Sequence, residues 1–171
     1  MNLSDLAGRI ESLQLLYQSL APNEPGSEID LGHYVSQLAS AVVNVYAVDG
    51  VRLDLKVDHT PVSVNVALPI GLVVNELITN AFKYAFGGRG HGVITVQCLR
   101  KSDDRYVVLV ADDGAGLPEG KTWPMPGKIG ALIVQTLREN AAVDINVDTA
   151  PGAGLRVAIV LGHKTASRKS N

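Results

Sequence analysis

The stretch "VVNELITNAFKYAF" (residues 73–86) sets polar side chains into what otherwise reads as a buried helix. Glu76 and Asn80 are four residues apart, so a helix points them the same way, and Lys83 and Tyr84 follow one turn on. An Asn amide oxygen is a hard, neutral ligand suited to Mg²⁺, an ion that keeps its waters and completes its shell from phosphates. Glu76 could orient or deprotonate an attacking group, and Lys83 could neutralise phosphate charge. The same pattern also fits a core helix with a partly solvated flank.

A second group lies in "VADDGAGLP" (residues 110–118), where an apolar run ends in two Asp and a Gly-x-Gly. Gly114 and Gly116 permit positive φ and close backbone approach to a flat ligand. Asp112 could accept a hydrogen bond from an exocyclic amine such as the adenine N6. Asp-Gly is also a common turn dipeptide, although "LPEGKTWPMPGK" does not resume a strand as a hairpin would. The third group is "GKIGAL" (residues 127–132). Gly127 and Gly130 at a helix start would leave N–H groups for an anion, or simply form a hinge between loop and helix.

The elements that must position these groups follow from periodicity. "LSDLAGRIESLQLLYQSL" (residues 3–20) has an apolar stripe of Leu6, Ile10, Leu13, Leu16, Tyr17 and Leu20 at helical spacing. "APNEPGSE" ends that helix and marks a linker. Residues 29–48 form a second helix with Asp30 as N-cap. "VRLDLKVD" alternates as a strand, and "PVSVNVAL" gives another short strand. The polar-flanked helix then covers roughly 68–86. Two strands joined by "KSDD" follow, the second apolar enough to be buried on both faces. A loop, the helix "IGALIVQTLRENA", a closing hairpin and a polar tail complete the chain. The order predicts an α+β two-layer sandwich with a mixed, largely antiparallel sheet covered by helices. The expected divisions are a helical region over 1–22, a main domain over 29–162 and a disordered tail over 163–171.

Bulk properties narrow the partners. The 171 residues are 46% hydrophobic and 19% charged, with net charge −2. One domain with a proper core fits that length, and the charge gives no electrostatic case for nucleic acid or an anionic membrane. The lone Cys98 excludes an internal disulfide framework and fits an inert core thiol in a reducing compartment. No apolar run approaches the roughly 18 residues of a membrane span, so no membrane contact and a cytoplasmic location are expected.

Taken in this order and spacing, the three groups resemble the motifs of the GHKL ATPases, the superfamily of gyrase, heat-shock chaperone ATPases, sensor histidine kinases and mismatch-repair proteins. Residues 75–86 are similar to its N box, "DDGAG" to the first glycine box and "IGAL" to a reduced second one. "NELITNAFKYAF" with "DDGAGLPEG" looks most like bacterial two-component sensor histidine kinases with a short ATP lid. The likeness runs over residues 29–162. It implies the Bergerat ATP-binding fold, with residues 3–20 similar to the second dimerisation helix and a homodimer formed through it. It also implies ATP and Mg²⁺ as ligands and a response regulator as partner. By this resemblance Asn80 would ligate Mg²⁺, Glu76 would assist phosphoryl transfer, Lys83 would contact phosphates, and Tyr84 would border the nucleotide. Asp112 would read adenine N6, Gly114 and Gly116 would shape the base pocket, and Gly130, with Ala131 and Leu132, would sit under the triphosphate. Residues 117–129 would be the ATP lid.

Three departures matter. The family phosphorylates a His on a first dimerisation helix, and none of His33, His59, His91 and His163 has that setting, so the chain is expected to be a catalytic fragment or a kinase acting on a His elsewhere. Ala131 stands where the second glycine box usually has Leu, and that box is short of glycines. Leu155 stands where the family often has Thr, which removes a hydroxyl supporting Asp112, so weak nucleotide binding is expected. A degenerate module of the same fold that docks a response regulator or kinase core is the alternative. An anti-sigma serine kinase fits less well, because such chains lack the leading helix.

Overall fold

The computed structural model describes residues 28–46, 49–87, 89–140 and 143–162. The expected helix over 3–20, the boundary of the 1–22 region and the tail from 163 lie outside the described residues. A short strand β1 (Glu28–Asp30) leads into helix α1 (Leu31–Tyr46), followed by β2 (Val51–Val57) and β3 (Pro61–Ser63). Helix α2 (Val64–Asn80) runs into a π-helical turn over Ala81–Ala85, then come β4 (Gly92–Ser102), β5 (Arg105–Asp112), helix α3 (Ile129–Asn140), β6 (Asp144–Thr149) and β7 (Leu155–Gly162).

The main sheet has the order β2-β4-β5-β7-β6. Only the β2–β4 pair is parallel; β4–β5, β5–β7 and β6–β7 are antiparallel. Strand periodicity puts Ile94, Val96 and Cys98 of β4 and Val157, Ile159 and Leu161 of β7 on one buried face. The helices cover it. On α1 the buried set Leu31, Tyr34, Val35, Leu38, Ala39 and Val42 has the spacing of a single apolar stripe. This is the expected two-layer α+β sandwich.

Nine of the 17 residues of helix α2 are buried, because α1 and α3 flank it and the sheet lies beneath. Its crossing with α1 is close: a Cβ on Gly71 would stand 2.3 Å from the Tyr34 hydroxyl oxygen. By length and mean hydropathy (1.3), Val64–Ala85 would be long and apolar enough to cross a membrane, contrary to the expectation from its interrupted apolar runs. Burial in the core accounts for that composition, with 56% of its most apolar 18 residues inside the domain.

Helix α2 also begins earlier than its apolar pattern predicts. Ser63, in extended backbone, accepts the Asn65 N–H at 3.2 Å and caps the helix. Only Pro61–Ser63 of the alternating "PVSVNVAL" pairs as a strand, with β1. Asp30 does cap α1, its Oδ1 accepting the Gly32 N–H at 3.1 Å and the Thr60 N–H at 2.9 Å. Next to it, Cys98 is fully buried, and burial pushes its thiol up to about 11, as suits an inert core sulfur.

Candidate functional site

The sheet register gives the two adjacent aspartates different work. Asp112 pairs with Ile94 on β4 and Leu155 on β7, and Leu155 pairs with Thr149 on β6. These four residues therefore form one row on the helix-covered face. Asp113 turns to the strand end instead: its Oδ1 accepts the Val93 N–H at 2.8 Å, and its carbonyl takes the Arg89 guanidinium.

Asp112 is held rigidly. Its carboxylate accepts the Gly114 N–H at 2.9 Å, and the Leu155 amide across the ladder also favours its ionised form. Burial nevertheless raises its pKa above the ordinary carboxylate value, outweighing those N–H groups and Arg89, with Asp113 pushing the same way as burial. It borders a shallow crevice lined by Leu77 and Ala81 on one side and Ile94, Val110 and Leu155 on the other. Asn80 lies between the two helical lining residues and is half-buried, as is Glu76 one turn before it.

Beyond Asn80 the chain does not continue as an α-helix. The π turn widens the spiral, a feature frequent at functional sites. Phe82 is stacked on Tyr46, with ring centroids 4.9 Å apart, which anchors the turn. Lys83 is half-buried, whereas Tyr84 is 72% exposed.

The Asp-x-Gly-x-Gly loop is sewn to the end of this turn: the Ala115 N–H bonds the Ala85 carbonyl at 2.9 Å. The two glycines differ in what they supply. At Gly114 a Cβ would stand 2.4 Å from the Ala85 oxygen and 2.5 Å from its Cβ, so missing bulk is what the site requires. Gly116 supplies left-handed backbone, with φ +71. Both bare faces meet protein backbone, Gly116 abutting the Ala150 carbonyl.

The third group arrives from α3. Gly130 is buried, and the one neighbour a Cβ there would meet is the Glu76 Cγ at 3.8 Å, so the start of α3 stands over Glu76. Ala131 is half-buried and Leu132 is 63% exposed. The fold thus brings Gly130 to Glu76, and Asp112 to the helix turn that carries Asn80. Between β5 and α3, residues 117–128 form no helix or strand, and Trp123 is buried at 8% exposure.

Among the described residues no three His, Cys, Asp or Glu cluster as metal ligands. A cage built by the protein is not the donor set here; one half-buried amide oxygen suits a cation that takes its other ligands from phosphate and water. The described histidines do other work: His59 Nδ1 is 3.0 Å from Asp30, His91 Nδ1 is 3.0 Å from the Arg89 carbonyl, and His33 is exposed. Sequence reasoning missed Arg89, Trp123 and Thr149. Only Thr149 carried a signal, a hydroxyl residue just before the "APGAG" turn.

Residues 65–165 match the model of the histidine kinase-, DNA gyrase B- and HSP90-like ATPases. Blue-light-activated histidine kinase 2 of Erythrobacter litoralis is 36% identical over 158 residues, which cover 90% of this chain and 45% of that protein. Sensor histidine kinase PdtaS of Mycolicibacterium smegmatis is 28% identical over 75% of this chain and 26% of its own length. This chain therefore spans less than half of these curated relatives. Among solved structures, the histidine kinase domain of the Erythrobacter litoralis EL346 blue-light activated histidine kinase superposes with a TM-score of 0.85 at 34% identity, covering 93% of this chain and 79% of that one. The motif-bearing region matches as a unit, and the chain belongs to the family of histidine kinase-, DNA gyrase B- and HSP90-like ATPases.

Proposed function

We propose that the chain is the ATP-binding catalytic domain of a sensor histidine kinase, delivering the γ-phosphoryl group to a histidine imidazole outside the domain. The observation that carries this reading is the crevice shared by Asp112 and the last turn of α2. Asp112, held by the Gly114 amide, accepts a hydrogen bond from the adenine amine, and Gly114 and Gly116 hold the loop that forms the base site. Asn80 binds Mg²⁺, which supplies charge neutralisation at the phosphates when bound. Lys83 and the N-terminus of α3 at Gly130, Ala131 and Leu132 face the phosphates, and Tyr84 borders the nucleotide. Glu76 orients the attacking imidazole and takes its proton at a carboxylate oxygen. Phosphoryl transfer needs mostly positioning and charge, so few residues suffice.

Residues 117–129 form the lid over the bound nucleotide. A reaction that consumes ATP places the domain in the cytoplasm. The intact protein pairs as a homodimer through residues 3–20 and passes its phosphoryl group to a response regulator.

Titration with a fluorescent ATP analogue, with and without Mg²⁺, tests this. The wild type should bind in a metal-dependent manner, and Asn80→Ala should lose that dependence without change in thermal stability. An Asn80→Ala protein that binds Mg-ATP like the wild type refutes the metal assignment. A wild type that binds no nucleotide favours the degenerate docking module.

A further inference from the structure

Thr149 belongs to none of the three motifs, yet its hydroxyl makes two hydrogen bonds. It donates to the Gly154 carbonyl at 2.8 Å and accepts the Leu117 N–H at 3.1 Å. One proton and one lone pair satisfy both without competition.

Each partner leads to the site. The Gly154 carbonyl and the Leu155 N–H are the two ends of one peptide group, and Leu155 is the cross-strand partner of Asp112, whose ionised carboxylate its amide favours. A peptide group is planar, so fixing its oxygen also fixes the direction of its N–H. A donor on the oxygen further polarises the N–H, strengthening the next bond in the chain by about 10–30%. The segment has little room to adjust in another way: Gly154 has φ +77, and a Cβ there would lie 2.0 Å from the Asp112 carbonyl oxygen. The second partner, Leu117, is the first residue of the lid.

We infer that Thr149 is a positioning residue, whose hydroxyl aims the Leu155 amide at Asp112 and fastens the root of the lid to the same strand end. It supplies from β6 the support that Leu155, which carries no hydroxyl, does not give Asp112 from β7. The role in base recognition rests on the reading of Asp112 as the adenine-binding carboxylate.

The test compares Thr149→Val, which keeps the shape and removes the hydroxyl, with Thr149→Ser, which keeps the hydroxyl. Amide hydrogen exchange followed by NMR in the nucleotide-free domain should show Leu117 and Leu155 exchanging roughly five- to tenfold faster in Thr149→Val. Amides in the middle of β4 should be unchanged, and Thr149→Ser should match the wild type. Titration with fluorescent ATP and GTP analogues should show the preference for adenine falling by a similar factor in the valine variant and returning in the serine variant. Wild-type exchange at both amides in Thr149→Val, or failure of Thr149→Ser to restore it, overturns the positioning role. Altered exchange with an unchanged base preference overturns the link to recognition. If the wild type binds neither analogue, the kinase reading fails, while the exchange measurement still decides the role of Thr149.

Discussion

Two glycines of the paired motifs should respond to the same substitution with opposite signs. At Gly114 an alanine Cβ would be driven to 2.4 Å from the Ala85 oxygen and 2.5 Å from the Ala85 Cβ. Neither obstacle is a flexible side-chain end, so backbone must shift. Overpacking of this kind costs about 1–3 kcal/mol. The Ala115 N–H to Ala85 carbonyl bond lies in the path of the shift, and its loss adds about 1 kcal/mol. Gly114→Ala should therefore lower stability by about 2–4 kcal/mol, a drop in Tm on the order of 5–15 °C for a chain of this size. At Gly130 the nearest atom is the Glu76 Cγ at an ordinary 3.8 Å, and the residue is helical. Alanine there gains up to about 1 kcal/mol of helix propensity. Gly130→Ala should raise Tm by a few degrees, and should weaken ATP-analogue binding if the phosphates approach that backbone. Thermal unfolding followed by far-UV circular dichroism and by the fluorescence of the single tryptophan measures both. Equal Tm values for Gly114→Ala and the wild type, or a large loss in Gly130→Ala, would refute the reasoning from close approach.

Two carboxylates should also part company. Asp112 has a raised pKa, so its ionised form opposes folding at neutral pH; Asp112→Asn should stabilise the nucleotide-free domain above the folded pKa. That gain should fade as pH falls through the folded value, while adenine-nucleotide affinity drops roughly ten- to a hundredfold at every pH; urea titrations across pH and analogue binding check both. Asp30 has a lowered pKa: burial pushes it up, but the Thr60 N–H, His59 and the His33 N–H prevail. Asp30→Asn keeps the cap but removes the charge that the Thr60 N–H, His59 and the His33 N–H favour, and should lower stability at pH 7. The difference from wild type should vanish as pH falls through the folded pKa, below the usual 3.8, in the same urea titrations.

Local chemistry determined much of this protein without any coordinates. The four-residue spacing of Glu76 and Asn80, the alternation in β2 and β4, the apolar run ending at Asp112 and the glycines around it are short-range patterns, and periodicity reads such patterns directly. The α+β sandwich follows from their order. The start of α2 was harder to place, because "PVSVNVAL" alternates like a strand while Ser63 caps a helix, and only the pairing of β3 with β1 decides between them. What needed the tertiary structure was every relation between segments distant in sequence. Which of two adjacent aspartates enters the crevice depends on the register of β4, β5 and β7. That Gly114 yields space to Ala85 while Gly116 supplies a positive φ depends on what lies against each. That Thr149 reaches both Leu117 and Gly154 depends on two strands and a loop meeting at one sheet end. Periodicity records which face of its own element a residue occupies; the neighbour across that face is set only when the chain closes on itself.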